Sequence, residues 1–229
     1  MRFENAQEGF ILINKPAGIT SHDVVDKLRE ITRIKKIGHA GTLDPFATGL
    51  LILGIGREFT KKLSIFQKKD KEYIATLRLG AESDTFDKEG KIVEKKVKKI
   101  PERKEIEEVL KNFLGEIEQI PPAFSAKKIK GKKLYELARR GIKVKPKPQK
   151  VKIYEISILE YEFPYLKIKV KCSSGTYIRS LANDIGKKLG CGAYIEELIR
   201  TKIGEFSVEK AIELSKLTPQ NWKSFLFKV

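Results

Sequence analysis

The sequence predicts an α+β fold: a mixed, largely antiparallel sheet flanked by helices, with a basic insertion standing off it. Strand-like and helix-like segments alternate irregularly, unlike the strict repeat of a doubly wound parallel sheet. Two strand-like runs, Val151–Glu162 and Tyr165–Cys172, follow one another around Pro164, too closely for a crossover helix. Residues 127–150 hold two glycines, two prolines and few core-forming residues, which reads as an insertion.

The elements follow from local pattern. Gly9–Asn14 is a buried strand and Lys15-Pro16-Ala17-Gly18 a turn. Thr20 or Ser21 then caps a helix whose apolar positions, Val24, Val25, Leu28 and Ile31, have helical spacing. A glycine-rich loop, Gly38–Gly49, precedes a strand at Leu50–Ile55. Tyr73, Ala75, Leu77 and Leu79 alternate with other residues, as in a half-buried strand. Glu102–Leu114 reads as an amphipathic helix stopped by Gly115, and Lys132–Arg140 as a short basic helix stopped by Gly141. Thr176–Leu189 is a helix closed by Gly190, Ala193–Leu198 a further helix, and Val208–Leu214 a short helix in a tail that carries Trp222 and Phe225. No internal repeat is visible.

Composition bounds the function. The chain has 229 residues, 41% of them apolar, enough for one large domain or one with a small appendage. No apolar run approaches the roughly 18–20 residues of a membrane span, and Met1–Glu8 is polar with no signal-peptide core. A cytoplasmic protein is expected. Cys172, Cys191, His22 and His39 are the only cysteines and histidines, and their spacing suits no zinc site, so no metal is expected. Few Cys and Met with abundant Lys and Glu resemble thermophile composition.

The net charge is +17, and Lys127–Lys152 alone holds twelve Lys or Arg residues against one acid, Glu136. A solvated surface loop would carry such charge, but its concentration in one segment points to docking of a polyanion, nucleic acid before an anionic membrane.

Three stretches carry candidate chemistry. In Gly38–Gly49 a carboxylate, Asp44, stands among three glycines and is restricted to extended geometry by Pro45; alone, Asp-Pro in such a loop is as well read as a turn. In Ser173–Leu181, Arg179 falls in the first turn of a helix, where the helix dipole does not favour a cation. It therefore needs an acidic partner, or it makes a surface ion pair of little energetic value. In Lys71-Glu72-Tyr73, Tyr73 is either a core aromatic with its hydroxyl at the rim or a site residue.

Taken in order, these stretches resemble the TruB family of tRNA pseudouridine synthases. The resemblance runs through Asn14–Ser21, Gly38–Gly49, Lys71–Tyr73, Arg78–Gly80, Asp84–Asp87, Pro121–Ala126, Gly131–Tyr135, Ser174–Leu181, Gly190–Ala193 and Arg200–Gly204, and spans about Gly9 to Gly204. Each motif is weak alone; the ordered set is specific.

The resemblance implies an α+β pseudouridine synthase catalytic fold and isomerisation of a T-loop uridine of tRNA, with no cofactor. It implies that Asp44 is the essential aspartate, acting either by addition to the sugar C1′ or as base toward the C2′ proton. Arg179 matches the arginine paired with that aspartate, and Tyr73 the active-site tyrosine. His39 matches the histidine that fills the place of the extruded base, and Tyr177 and Leu198 match residues of the uracil pocket; from pattern alone Leu198 is plain core. The basic segment matches a thumb-like RNA clamp, with Lys127, Lys128, Lys130, Lys132, Lys133, Arg139 and Arg140 as its contacts. The implied partner is the T stem-loop of tRNA, with no membrane and no obligatory protein partner, the enzyme being a monomer. The expected organisation is a catalytic domain over 1–206 and a short helical tail over 207–229, too small for the PUA-type module that bacterial members usually carry. Two alternatives stand beside this reading: an RNA-guided pseudouridine synthase, which would need that module and protein partners, and a tRNA-folding chaperone.

Overall fold

The computed structural model describes residues 8–122, 128–129, 132–134, 142 and 146–229. It divides into two units, Met1–Lys71 with Ile199–Val229, and Glu72–Leu198.

In the first unit, β1 (Gly9–Lys15) is followed by α1 (Ser21–Thr32), β2 (Ile37–Ala40), β3 (Thr48–Ile55), α2 (Arg57–Lys62) and α3 (Ser64–Gln67). Thr20 is the helix cap: its side chain accepts from the Asp23 N–H at 3.1 Å while Asp23 accepts from the Thr20 N–H at 2.7 Å. Such a reciprocal cap stabilises a helix by about 1 kcal/mol. β1 and β3 pair antiparallel, Ile11 opposite Leu53 and Ile13 opposite Leu51. Both strands are buried on both faces. Ile11, Ile13, Leu51, Leu53 and Ile55 pack on Val24, Val25 and Leu28 of α1, together with Leu217 and Trp222 from the C-terminal region. Phe10, Leu50 and Ile52 turn the other way, onto Phe59, Leu63 and Phe66. There Phe10 meets Phe59 and Phe66 edge to face, with ring centroids 5.0 and 4.7 Å apart. Two-sided burial explains why these strands read as apolar runs rather than as alternating ones.

The second unit takes in β4 (Lys71–Leu79) from Glu72 onward. It continues with β5 (Ala81–Ser83), β6 (Ile92–Glu94), α4 (Arg103–Lys111), β7 (Gly115–Gln119), β8 (Lys128–Ile129), β9 (Lys132–Lys133), β10 (Gln149–Glu162), β11 (Tyr165–Cys172) and α5 (Ile178–Lys188). Its sheet runs β4-β11-β10-β7, with β10 antiparallel to both β11 and β7. The turn around Phe163-Pro164 joins β10 to β11, as the sequence predicts, and that peptide bond is cis. Ile106 and Leu110 of α4 and Leu181 and Ile185 of α5 are buried. Each such side chain contributes about 1.5–3 kcal/mol.

β12 (Ala193–Ile203) begins in the second unit and ends in the first, where it runs parallel to β3 and pairs with β13 (Phe206–Ser207). β14 (Ile212–Glu213) lies parallel to β1.

Several sequence expectations are corrected. Ala193–Leu198 is strand, not helix: its Glu-Glu-Leu content favours helix locally, but burial of Tyr194, Ile195 and Leu198 within the sheet overrides that preference. Val208–Leu214 is not one helix. A single 3₁₀ turn at Val208–Lys210 gives way to β14, because Ile212 pairs with Ile13, and a second 3₁₀ turn follows at Leu214–Lys216. The Gly38–Gly49 segment is loop only between β2 and β3, from Gly41 to Ala47. The helix expected at Glu102–Leu114 is shorter, with Glu102 as its cap and Gly115 opening β7. The helix expected at Lys132–Arg140 does not include Lys132 and Lys133, which form β9 against β8; residues 135–140 lie outside the described residues. Among the described residues no helix is long and apolar enough to cross a membrane.

Candidate active site

In the first unit Asp44 stands half-buried on the loop between β2 and β3. The loop is held through its main chain. Lys15, fully buried, donates from Nζ to the Pro45 carbonyl at 3.1 Å and to those of Pro16 and Ile19 at 2.8 and 2.7 Å. Gly18 N–H donates to the same Pro45 oxygen at 2.9 Å, and Ala47 N–H to the Asp44 oxygen at 3.1 Å. The buried Ser21 hydroxyl donates to the Leu43 carbonyl at 3.1 Å and accepts from the Leu43 N–H at 2.9 Å. The residues immediately before and after Asp44 are thus tied to the turn after β1 and to the start of α1. These bonds over-determine the backbone of the loop on both sides of Asp44.

His39, at the end of β2, is half-buried, and its Nδ1 is buried with no hydrogen bond of good geometry among the described residues. Burial, then the Arg200 guanidinium and His22, hold its imidazole below the usual 6.5, against a weaker opposite influence of the Gly41 backbone. The neutral imidazole is therefore the favoured form at neutral pH. The folded protein binds a proton here less readily than the unfolded chain, so this group costs stability as pH falls below 6.5. Urea melts of wild type and His39→Gln should converge as pH is lowered from 7 toward 5 if wild type starts more stable; a gap independent of pH would contradict this.

In the second unit Arg179 occupies the first turn of α5 and is buried. Its Nη1 donates to Asp87 Oδ2 at 2.9 Å and to the Thr85 carbonyl at 3.0 Å. Asp87, only 3% exposed, also accepts from the Thr85 hydroxyl at 2.6 Å and from the Glu89 N–H at 3.0 Å. An acidic partner for Arg179 is what its unfavourable place in the helix dipole requires. Tyr177 caps the same helix. Its N–H donates to Gln119 Oε1 at 2.7 Å, and its carbonyl accepts from Gln119 Nε2 at 2.9 Å. The Ser180 hydroxyl donates to the Ile120 carbonyl at 2.7 Å. The start of α5 is thereby fastened to the end of β7. Tyr73 on β4 and Leu198 on β12 are both nearly buried, on strands that neighbour one another in the sheet order.

Asp87, Gln119 and Lys15 were not singled out by the sequence reading. Asp87 and Lys15 stand in stretches that carry the family resemblance, Asp84–Asp87 and Asn14–Ser21, so the signal was present without a role attached. Gln119 had no signal, because its two bonds join segments 58 residues apart. Of the basic residues expected to contact RNA, Lys127, Lys130, Arg139 and Arg140 lie outside the described residues, and Lys128, Lys132 and Lys133 are described only as strand backbone.

The model for the N-terminal domain of TruB family pseudouridylate synthases matches residues 29–178, and that for the C-terminal domain of tRNA pseudouridylate synthase B matches 179–225. The chain belongs to the TruB family. Among its relatives are proteins named tRNA pseudouridine synthase B. That of Chlamydia abortus is 49% identical over 90% of this chain and 87% of its own length. That of Protochlamydia amoebophila is 50% identical over 90% of this chain and 78% of its own. A solved structure of an H/ACA RNP bound to a substrate RNA containing 2′-deoxyuridine is 32% identical, with a TM-score of 0.70 over 96% of this chain. This chain spans 56% of that one. As a TruB family member the chain has the pseudouridine synthase fold, a mixed sheet with helices.

Proposed function

We infer that this chain is a tRNA pseudouridine synthase that isomerises the T-loop uridine, with Asp44 at the reacting centre. The observation that carries this reading is the clamped loop: a carboxylate on a loop whose main chain is bonded on either side of it, in a chain about half identical to proteins named tRNA pseudouridine synthase B. The target base is extruded from its stack at a cost of a few kcal/mol. The C–N glycosidic bond breaks, the base turns, and C5 bonds to C1′ while its proton leaves. Asp44 serves either by adding to C1′ or by taking the C2′ proton, with Arg179 as its cationic partner. Tyr73 stacks on the uracil, which is worth about 1–3 kcal/mol, and its hydroxyl helps move the C5 proton. His39 fills the vacated place in the RNA, and Tyr177 and Leu198 line the pocket. No cofactor, guide RNA or obligatory protein partner takes part, and the enzyme is a cytoplasmic monomer. Its catalytic domain covers 1–206, with 207–229 as a short tail.

The test is to incubate the purified chain with an unmodified tRNA transcript and map pseudouridine. Conversion at the T-loop uridine with no added RNA supports the reading. Conversion only with a guide RNA, or refolding of tRNA with no conversion, would favour one of the two alternatives.

Tyr73→Phe and Tyr73→Leu separate two roles. Phe keeps the ring, so tRNA affinity should hold while turnover falls if the hydroxyl moves a proton. Leu loses both. A fully active Leu variant removes Tyr73 from the site.

The basic segment 127–150 docks the tRNA backbone. Replacing Lys127, Lys130, Lys132 and Lys133 by Gln should flatten the log–log salt dependence of tRNA binding by about 0.7–0.9 per lost phosphate contact. An unchanged slope restores the solvated-loop reading.

A further inference from the structure

The first unit contains a second buried cation at the aspartate loop, Arg200, which no reading above gives a role. Arg200 lies on β12 and is 2% exposed. Its side chain donates to three main-chain carbonyls: Nε to Leu50 at 2.8 Å, Nη2 to Gly41 at 3.1 Å and, more weakly, Nη1 to Thr42 at 3.5 Å. Gly41 and Thr42 open the loop that carries Asp44, and Leu50 lies just beyond its close. One guanidinium therefore joins both ends of the loop. The backbone of Arg200 adds a further constraint. It pairs with Gly49 in the parallel ladder, and Gly49, at φ +102°, comes so close that a Cβ there would collide with the Arg200 main chain.

Two further facts distinguish this from ordinary packing. Among the described residues no carboxylate pairs with Arg200. A buried guanidinium without a counter-ion is costly, and here it is directed wholly at loop carbonyls. Separate nitrogens of one planar fork, Nε and Nη2, serve Leu50 and Gly41, a divergence of donors that a lysine's single nitrogen does not offer. Its charge is also felt at His39 on the preceding strand, β2, since Arg200 is among the groups that depress the His39 pKa.

We propose that Arg200 is a positioning residue for the isomerisation, fixing the aspartate loop from both ends so that the Asp44 carboxylate meets the sugar in a reactive geometry. The proposal rests on the function assigned above. Misplacement of a reacting group by about 1 Å costs about 10²-fold in rate.

The test uses the full chain with an unmodified tRNA transcript, in single-turnover mode at saturating enzyme, alongside a binding assay. Arg200→Lys keeps the charge and loses the fork. Its conversion rate should fall by about 10²-fold, with tRNA affinity within about threefold of wild type and melting still cooperative. Arg200→Ala should be slower still and should regain part of the lost rate when guanidinium ion is added at concentrations below those that unfold it. Wild-type conversion by Arg200→Lys overturns the proposal. So does a rate loss that is matched by lost affinity or lost cooperative melting, which would make Arg200 merely structural. If wild type itself converts no tRNA, the assigned function fails and this proposal falls with it, an outcome distinct from equal rates in wild type and variant.

Discussion

Replacing Arg179 by methionine is expected to destabilise the protein by about 3–5 kcal/mol, because it strands a buried carboxylate. The side chains of Arg179 and Asp87 are each 5% exposed, and their N···O distance is 2.9 Å. Without the guanidinium, Asp87 keeps the Thr85 hydroxyl and the Glu89 N–H as donors, and these do not neutralise its charge. The Thr85 carbonyl also loses its donor. For a chain of this size each kcal/mol shifts the melting temperature by about 2–4 °C, so a fall of roughly 6–20 °C is expected. Asp87→Asn should also cost stability, since the amide oxygen can keep both donors but an amide NH2 then faces Arg179 Nη1. The double change Arg179→Met with Asp87→Leu should recover part of the single-variant loss, because removing both charges removes the desolvation cost. A loss below about 1 kcal/mol in Arg179→Met would mean that the pair behaves as an exposed ion pair.

Asp44→Asn is expected to remove activity and leave the fold. The bonds that hold its loop run through main-chain atoms of Leu43, Asp44 and Pro45, and an amide in place of the carboxylate leaves them all standing. Stability should stay within about 1 kcal/mol of wild type, as for most isosteric changes outside the core. The amide neither adds to C1′ nor accepts the C2′ proton effectively, so conversion should fall by at least about 10²–10⁴-fold.

Much of this was legible in the sequence, and the losses have physical causes. The helix α1 was readable because its cap and its apolar spacing are local. So was the need of Arg179 for an acid, which follows from helix electrostatics; its bond to Asp87 was not, because that residue lies 92 residues away along the chain. β12 was read in part as helix because Ala193–Leu198 has helix-forming composition and its strand state comes from distant partners. Asp44 stood out through its glycines and proline, whereas its anchors, Lys15 and Arg200, did not. Buried cations bonded to carbonyls leave no periodic trace, since the acceptors belong to every residue type.

The most direct test of the central claim compares wild type and Asp44→Asn on one unmodified tRNA transcript, with single-turnover conversion and tRNA binding measured on the same preparations. The account predicts full conversion of the T-loop uridine by wild type, and normal binding with no detectable conversion by the Asn variant. Substantial conversion by Asp44→Asn would remove that carboxylate from the reacting centre and contradict the mechanism.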